Sequence, residues 1–145
     1  MTKVCIFIPS HINYNGQIDL LYSCLESLIS QTNIPDIYIS ISFGNDTYKK
    51  EFTEKILRNF PKPKYLFSKQ KLFQMEHIYK LTKNYANNYE LIMFCDDDDT
   101  YNKNRVQKIV EAYQYGKKYY LGYKIAGFRE CIKIPNTELN IGLML

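Results

Sequence analysis

The sequence predicts an α/β domain in which helices cover both faces of a mostly parallel sheet. Short apolar runs with strand character alternate along the chain with segments whose apolar residues recur every three or four positions. This alternation is typical of parallel strands joined by helices. In addition, the apolar run 91–95 continues directly into four aspartates at 96–99, which places a cluster of charge at the end of a strand.

The first strand–helix–strand unit is predicted from the N-terminal third of the chain. Residues 4–8 are apolar and stop at Pro9, which has no amide hydrogen to give to a sheet. A helix follows over 18–29, where apolar side chains have helical spacing, and it ends before Pro35. Residues 37–42 alternate Ile with Ser or Tyr, which predicts the second strand.

A second unit follows a turn at 44–46. Asp46 or Thr47 can cap a helix whose apolar residues again have helical spacing, and Pro61 ends that helix. A short third strand is then predicted over 65–67.

The remaining elements surround the acidic run. A third helix is predicted over about 73–86, and the fourth strand, 91–95, is apolar enough to be buried on both faces. Asn102 can cap a fourth helix that we expect to end at Gly116. A fifth strand is predicted over 119–128.

Length and composition bound the class of protein. We expect residues 1–145 to form a single domain. The net charge of +4 comes without a dense basic tract, so we expect no nucleic-acid partner. No segment approaches the roughly 18 apolar residues of a membrane span, and no signal peptide is recognisable, so we expect a soluble, cytoplasmic protein. The cysteines, which we expect to be reduced, are Cys5, Cys24, Cys95 and Cys131.

The four aspartates need a compensating group. On an extended chain, side chains two residues apart point the same way and lie about 6.6 Å apart, which pairs Asp96 with Asp98 and Asp97 with Asp99. Each like-charged pair repels by about 2.5 kcal/mol at an effective dielectric of 20. A solvated loop would tolerate this, whereas the rim of a sheet needs a cation, a helix N-terminus or a raised pKa. A divalent cation is the simplest answer, and the carboxyl ends of such strands are where ligands bind.

Three motifs occur in an order that resembles a known family. They are Ile-Pro-Ser at 8–10, Leu-Glu-Ser-Leu-Ile-Ser-Gln at 25–31, and Phe-Cys-Asp-Asp-Asp-Asp at 94–99. Together they resemble the inverting family-2-type glycosyltransferases with a GT-A fold. This resemblance implies a Rossmann-like GT-A sandwich that transfers a sugar from a nucleotide-diphosphate donor, with a UDP-sugar favoured, to an unknown acceptor.

The same resemblance assigns roles to the acidic run. Its Asp-x-Asp motif implies that Asp98 binds Mn²⁺ or Mg²⁺ and that Asp96 contacts the metal through water or the ribose. Asp99 would line the sugar pocket. Asp97 points the other way, so it is the least ligand-like of the donor-binding residues.

The nucleoside side of the expected donor site is less fully matched. The segment Pro9, Ser10 and His11 would lie against the nucleoside. The family has an acidic pair after the second strand, one member of which reads uracil, whereas only Asp46 lies nearby here and it can instead cap a helix. For His77, which could approach a phosphate, and for His11, a structural role is the simpler expectation.

The acceptor side is not recognisable, so the catalytic base is unassigned. The acids beyond the predicted fifth strand are Glu130 and Glu138, and neither lies in a base motif. With the apolar end at 141–145, this predicts a truncated donor-binding portion, whose acceptor half a partner chain could supply.

Two alternatives to an active transferase remain open. The first is a catalytically incomplete nucleotide-sugar-binding fragment. The second is a haloacid-dehalogenase-like phosphatase in which Asp96 attacks phosphorus and Asp98 is the acid/base, with Thr100 completing the Asp-x-Asp-x-Thr pattern.

Overall fold

Four parallel strands form one sheet in residues 1–119, the part of the chain that this computed structural model describes. The strands are β1 (Val4–Ile12), β2 (Asp36–Phe43), β3 (Lys64–Ser68) and β4 (Leu91–Phe94). The α-helices are α1 (Gln17–Ile29), α2 (Asp46–Phe52), α3 (Gln74–Tyr85) and α4 (Arg105–Tyr119). A π-helical segment, Thr53–Leu57, continues α2, and a short 3₁₀ helix, Ala86–Asn88, follows α3. The strand order β3-β2-β1-β4 and the uniformly parallel pairing confirm the predicted α/β class.

The helices cover both faces of the sheet. The larger apolar cluster joins α1, α2 and α4 to alternate residues of β1, such as Ile6 and Ile8. The smaller cluster lies on the other face, where Leu81 of α3 packs with Phe7 and Tyr38. Because successive side chains of a strand point to opposite faces, this alternation also decides which polar residues at the end of β1 meet which helix.

β1 is longer than its sequence predicts, because Pro9 does not end it. The strand continues to pair with β2 through Ile12, which lies opposite Phe43. The carbonyl of Phe7 accepts a hydrogen bond from the amide of Cys95, so the polar backbone groups of Phe7 and of Pro9, two residues on, face the β4 side. β4 has already ended at Phe94, so within residues 1–119 no strand on that side requires the missing amide hydrogen of Pro9.

Two helix boundaries also differ from the prediction. α2 is capped by Asn45, whose side chain accepts from the amide of Tyr48, so neither Asp46 nor Thr47 is the cap. α4 continues past Gly116 to Tyr119, so that glycine does not stop it. The rest of the predicted fifth strand, Cys131 and both tail glutamates lie outside the described residues.

The start of α1 depends on a glycine. Gly16 precedes the helix with a φ of 87°, a left-handed conformation that costs glycine little because it has no Cβ. The turn brings Gln17 back beside the end of β1, where its side chain donates to the carbonyl of His11.

β4 is less buried than the five apolar residues predict. Within the described residues it is an edge strand that pairs with β1. Met93 and Cys95 are buried, whereas Phe94 is 54% exposed and packs edge-on against Phe7.

Residues 96–99, the acidic turn, do not form an extended segment. The amide of Asp99 donates to the carbonyl of Asp96 across 3.2 Å, which bends the chain around the two central aspartates. The predicted pairing of carboxylates at extended spacing is therefore wrong, because the backbone turns as soon as it leaves the sheet.

Candidate functional site

A pocket of about 220 Å³ lies at the carboxyl edge of the sheet, beyond the ends of β1 and β4. It brings together seven of the residues singled out from the sequence: Pro9, Ser10, His11, His77, Asp96, Asp97 and Asp98. Asp46 and Asp99 do not line it, and the pocket also contains Gln17, Leu72 and Gln74. The sequence argument for ligand binding at this edge is thus matched by a concave, polar-lined site.

Asp97 is the most tightly held of the four aspartates. Its Oδ2 accepts hydrogen bonds from the hydroxyl of Ser10 and, at 3.1 Å, from Nε2 of Gln17. Burial raises the pKa of Asp97, the two hydrogen bonds oppose that rise, and the charges of Asp98 and Asp96 add to it. The carboxylate therefore ties the acidic turn to the end of β1 and the first turn of α1.

Asp96 has a different partner from Asp97. Its Oδ1 accepts from Nε2 of Gln74 at 2.7 Å, so the turn is also held by the first residue of α3. Asp98, like Asp96, is exposed at the rim of the pocket. Asp96 and Asp97 thus have different hydrogen-bond partners, although both line the same pocket.

The fit of a divalent cation is restricted by the number of protein ligands. No cluster of three His, Cys, Asp or Glu side chains suited to a metal occurs within residues 1–119. Mg²⁺, however, is commonly held by one or two carboxylates, with substrate phosphates and water completing its shell. Asp96 and Asp98 are exposed carboxylates at the rim, and their oxygens are donors of the kind that such a cation takes.

Two histidines form a polar chain on the α3 side of the pocket. Nδ1 of His11 lies 2.7 Å from Oγ of Ser42, which in turn lies 3.2 Å from Nε2 of His77. Nδ1 of His77 lies 2.8 Å from Oγ of Ser40. His77 is only 1% exposed, so the expectation of a structural histidine agrees with its surroundings.

Both histidines favour the neutral state. Burial lowers the pKa of His11, and the positive charge of Lys71 lowers it further. Burial, followed by the charges of His11 and Lys80, lowers the pKa of His77 to about 4, while Glu76 opposes the shift. At neutral pH each ring therefore has one protonated and one unprotonated nitrogen.

The helix motif at 25–31 holds the segment that follows the acidic turn. Oγ of Ser27 accepts from the amide of Tyr101 at 2.9 Å. The side chain of Gln31 donates to the carbonyl of Asn102 at 2.9 Å and accepts from the amide of Val106 at 3.1 Å. The motif therefore holds the end of α1 against the segment that leads into α4.

Tyr101 holds the C-terminal end of the acidic turn in place. Its hydroxyl donates to the carbonyl of Phe94 at 2.9 Å, which joins the residue after the loop to the last residue of β4. The guanidinium of Arg105 lies 4.2 Å from the centre of the Tyr101 ring. Both ends of the aspartate segment are thus fixed by contacts outside the segment itself.

The cysteines nearest the site are buried free thiols. Sγ of Cys24 lies 3.8 Å from Sγ of Cys95 and 3.7 Å from the carbonyl oxygen of Asp96. The hydrogen bond between them and their burial raise the pKa of Cys24. The expectation of reduced cysteines agrees with the structure for Cys5, Cys24 and Cys95.

The polar residues that the sequence argument missed are Gln17 and Gln74, which line the pocket, and Ser42, which contacts His11. Each makes its contact across a long stretch of chain, as in the bond from Gln17 to Asp97. The available signal was positional: Gln17 and Gln74 each open a helix, and Ser42 lies at the predicted carboxyl end of the second strand.

A larger cavity of about 640 Å³ lies along α3, but its lining is different in kind. It shares Leu72 with the pocket and otherwise includes residues of α3 such as Met75, Tyr79 and Lys83. None of the aspartates 96–99 reaches it, so the smaller cavity is the candidate site.

The helices within residues 1–119 all fall short of the length and apolar character required to cross a membrane.

Comparison with known proteins gives a match to a family of sugar transferases. The sequence model of glycosyl transferase family 2 matches residues 5–138, almost the whole chain. A search of curated proteins finds no match. The family match favours the transferase interpretation over the phosphatase alternative.

Solved structures show the same fold. S. aureus TarS is 14% identical, with a TM-score of 0.55 over 79% of this chain and 20% of its own. A TarS fragment solved in complex with UDP is 16% identical, with a TM-score of 0.52 over 79% of this chain and 33% of its own. A protein described as a nucleotide-diphospho-sugar transferase from Desulfovibrio desulfuricans G20 has the same identity and TM-score over 79% of this chain and 56% of its own. The chain thus spans about a fifth to just over half of the length of these three structures.

Proposed function

The chain belongs to glycosyl transferase family 2, and from this premise we propose that it binds a nucleotide-diphosphate sugar, with a UDP-sugar favoured, for transfer of the sugar to an acceptor. The observation that carries the proposal is the pocket in which Asp96 and Asp98 lie beside the end of β1. The UDP bound to the similar TarS fragment supports UDP as the first nucleotide to test.

Asp96 and Asp98 are the residues that would hold a divalent cation, Mn²⁺ or Mg²⁺. When bound, such an ion supplies charge neutralisation for the leaving diphosphate. Gln74 keeps the Asp96 carboxylate in place through its hydrogen bond, and Asp98 is free to turn toward the pocket because it is exposed at the rim.

Asp97 has a positioning role in this proposal. The oxygen that accepts from Ser10 and Gln17 is already engaged, so Asp97 holds the acidic turn in place for its neighbours. The resemblance-based roles of Asp99 at the sugar and Asp46 at the base remain proposals, and both residues lie outside the pocket lining.

The nucleoside would lie on the side of the pocket formed by Pro9, Ser10 and His11. In the strand order, β2 and the acidic turn after β4 lie on opposite sides of β1. The diphosphate would therefore occupy the β4 side, near Asp96 and Asp98, and the base would occupy the β2 side.

We assign no catalytic base among residues 1–119. Deprotonation of an acceptor hydroxyl needs a carboxylate or another base within hydrogen-bonding reach. In this proposal that group comes from residues beyond 119 or from a partner chain, and a chain without it would be the catalytically incomplete binding fragment.

Calorimetric titration of UDP, GDP and dTDP, each with and without Mn²⁺, tests the proposal. We expect UDP to bind best and only with the metal, and Asp98→Ala to abolish that binding. Asp19→Ala is the matched control, since Asp19 is an exposed carboxylate of α1 that pairs with Lys55. If none of the nucleotides binds with Mn²⁺, the proposed function is wrong.

Release of UDP from UDP-sugars separates the two forms of the proposal. Turnover with an added acceptor supports an active transferase. Tight metal-dependent binding of UDP-sugars without turnover identifies the incomplete binding fragment.

A further inference from the structure

A continuous series of hydrogen-bonded side chains leads from the core to the pocket, in the order Ser40, His77, Ser42 and His11. Its three contacts measure 2.8 Å, 3.2 Å and 2.7 Å in that order. Ser40, Ser42 and His77 are buried, whereas His11 is partly exposed and lines the pocket. A buried polar network that ends at one partly exposed ring requires an explanation beyond packing, since an apolar core would avoid its desolvation cost.

The proton positions in this chain are coupled. If Nδ1–H of His77 faces Ser40, the hydroxyl of Ser42 donates to Nε2 of His77 and accepts from Nδ1–H of His11. In the reverse arrangement, His77 donates to Ser42, which donates to Nδ1 of His11. The first arrangement leaves Nε2 of His11 as an acceptor, and the second leaves it as a donor.

Nε2 of His11 is the last atom of this hydrogen-bonded series. It has no hydrogen-bond partner within residues 1–119. Every buried side-chain nitrogen or oxygen in that range does have a partner, so Nε2 must be accessible. The nitrogen therefore offers one directed hydrogen bond to a molecule in the pocket.

The location of His11 separates it from the expected diphosphate. Its partner Ser42 is on β2, and the two residues lie opposite each other in the sheet register. The acidic turn follows β4, on the other side of β1. In addition, burial and the positive charge of Lys71 lower the pKa of His11. The imidazole is therefore neutral, and a neutral ring suits a nucleobase better than a negatively charged phosphate.

We propose that Ser42 and His77 are positioning residues that hold the ring of His11 and couple its tautomer to their own proton positions, so that Nε2 of His11 hydrogen-bonds to the nucleobase of the donor. This rests on the proposed function. The ring N–H of uracil needs an acceptor, so UDP selects the arrangement in which Nδ1 of His11 carries the proton and Ser42 accepts from it.

Binding of two ligands in the presence of Mn²⁺ tests the proposal: UDP, and ribose 5-diphosphate, which lacks the base. Ser42→Ala should weaken UDP binding about tenfold, the size of one lost hydrogen bond to the base. It should leave ribose 5-diphosphate unchanged. Ser68→Ala is the matched control, because Ser68 lies opposite Ser42 in the sheet and its hydroxyl meets Lys80 instead.

A second variant guards against misfolding of the first. His77→Asn retains a polar group near Ser40 and loses the reach to Ser42, so it should repeat the base-dependent loss. Circular dichroism and melting temperature check the fold of each variant. Equal losses for both ligands, or no loss for UDP, would overturn the proposal, because a structural role weakens both ligands alike.

Proton–nitrogen NMR correlations of the histidine rings give an independent readout. With UDP and Mg²⁺ bound, we expect His11 in the wild type to carry its proton on Nδ1, and Ser42→Ala to mix the two tautomers. A wild-type His11 protonated on Nε2 in that complex would contradict the assignment. If UDP and ribose 5-diphosphate both fail to bind the wild type, the proposed function fails and this inference fails with it.

Discussion

The hydroxyl of Ser10 donates a hydrogen bond to the Asp97 carboxylate at the point where β1 and the acidic turn meet. Gln17 donates to the same oxygen, so one carboxylate joins a strand end, a helix start and the turn. The preceding aspartate, Asp96, is held separately by Gln74 of α3. Neighbouring side chains from β1, α1 and α3 therefore hold the acidic turn in place.

Asp97→Asn should leave the site intact. The asparagine oxygen can still accept from Ser10 and Gln17, and the amide removes a charge that the fold disfavours, since burial raises the pKa of Asp97. We expect a melting temperature at pH 7 at or above that of the wild type, and Mn²⁺-dependent UDP affinity within about twofold. Differential scanning fluorimetry and calorimetry measure the two quantities.

Asp98→Asn is the matched comparison for that variant. It also replaces a carboxylate by an amide, but at a residue proposed as a metal ligand, so the Mn²⁺-dependent affinity for UDP should fall at least tenfold, about the loss seen when a metal shell is disturbed. Equal losses for the two variants would show that Asp97 is itself a ligand.

Gln31→Ala should destabilise the fold through the segment after the acidic turn. The change leaves the carbonyl of Asn102 and the buried amide of Val106 without their side-chain partner. We expect the free energy of unfolding in urea to fall by about 2 kcal/mol. Ser30→Ala, one residue away and bonded only to a carbonyl of its own helix, should stay within about 0.5 kcal/mol of the wild type.

The elements of the fold were predictable because periodicity is local. The apolar spacing of Leu21, Leu25 and Leu28 predicts α1 and its buried face, and all three are buried. Pro9 shows where a local rule fails. Its effect on pairing depends on whether a neighbouring strand is still present at that level of the sheet, and that information lies in β4, more than eighty residues away.

The position of the candidate site in the fold was predictable from the sequence. The contacts between its side chains were less predictable. The strand that ends in aspartates identifies the edge of the sheet, but the bend after Asp96 comes from contacts made by distant residues. The pairing of Gln17 with Asp97, or of His11 with Ser42, depends on strand order and register. No spacing within the sequence specifies those two quantities.

Tyr101→Phe should loosen the acidic loop while preserving the packing of the ring. The variant loses the hydrogen bond from the hydroxyl to the carbonyl of Phe94 and retains the ring below Arg105. We expect a loss of about 1 kcal/mol in the free energy of unfolding, together with weaker Mn²⁺-dependent UDP binding. Tyr79→Phe, at an exposed residue of α3, should change neither measurement, and an unchanged Tyr101→Phe would show that the bond does not hold the loop.

His77 should make the fold sensitive to acid. An unfolded histidine has a pKa of about 6.5, whereas burial and the neighbouring charges of His11 and Lys80 lower the pKa of folded His77 to about 4. The unfolded state therefore binds the proton more readily. Stability is fully present above about pH 6.5 and declines as the pH falls toward 4, by up to about 3 kcal/mol.

His77→Gln isolates this contribution, because the glutamine does not titrate. Urea unfolding of both proteins at several pH values from 7 to 4 should give a flatter profile for the variant. Asp97 acts in the opposite direction, since its raised pKa adds stability as the pH falls, but it is present in both proteins and cancels in the difference. Parallel profiles would mean that His77 is protonated as easily in the fold as in the unfolded chain, which is incompatible with its burial between Ser40 and Ser42.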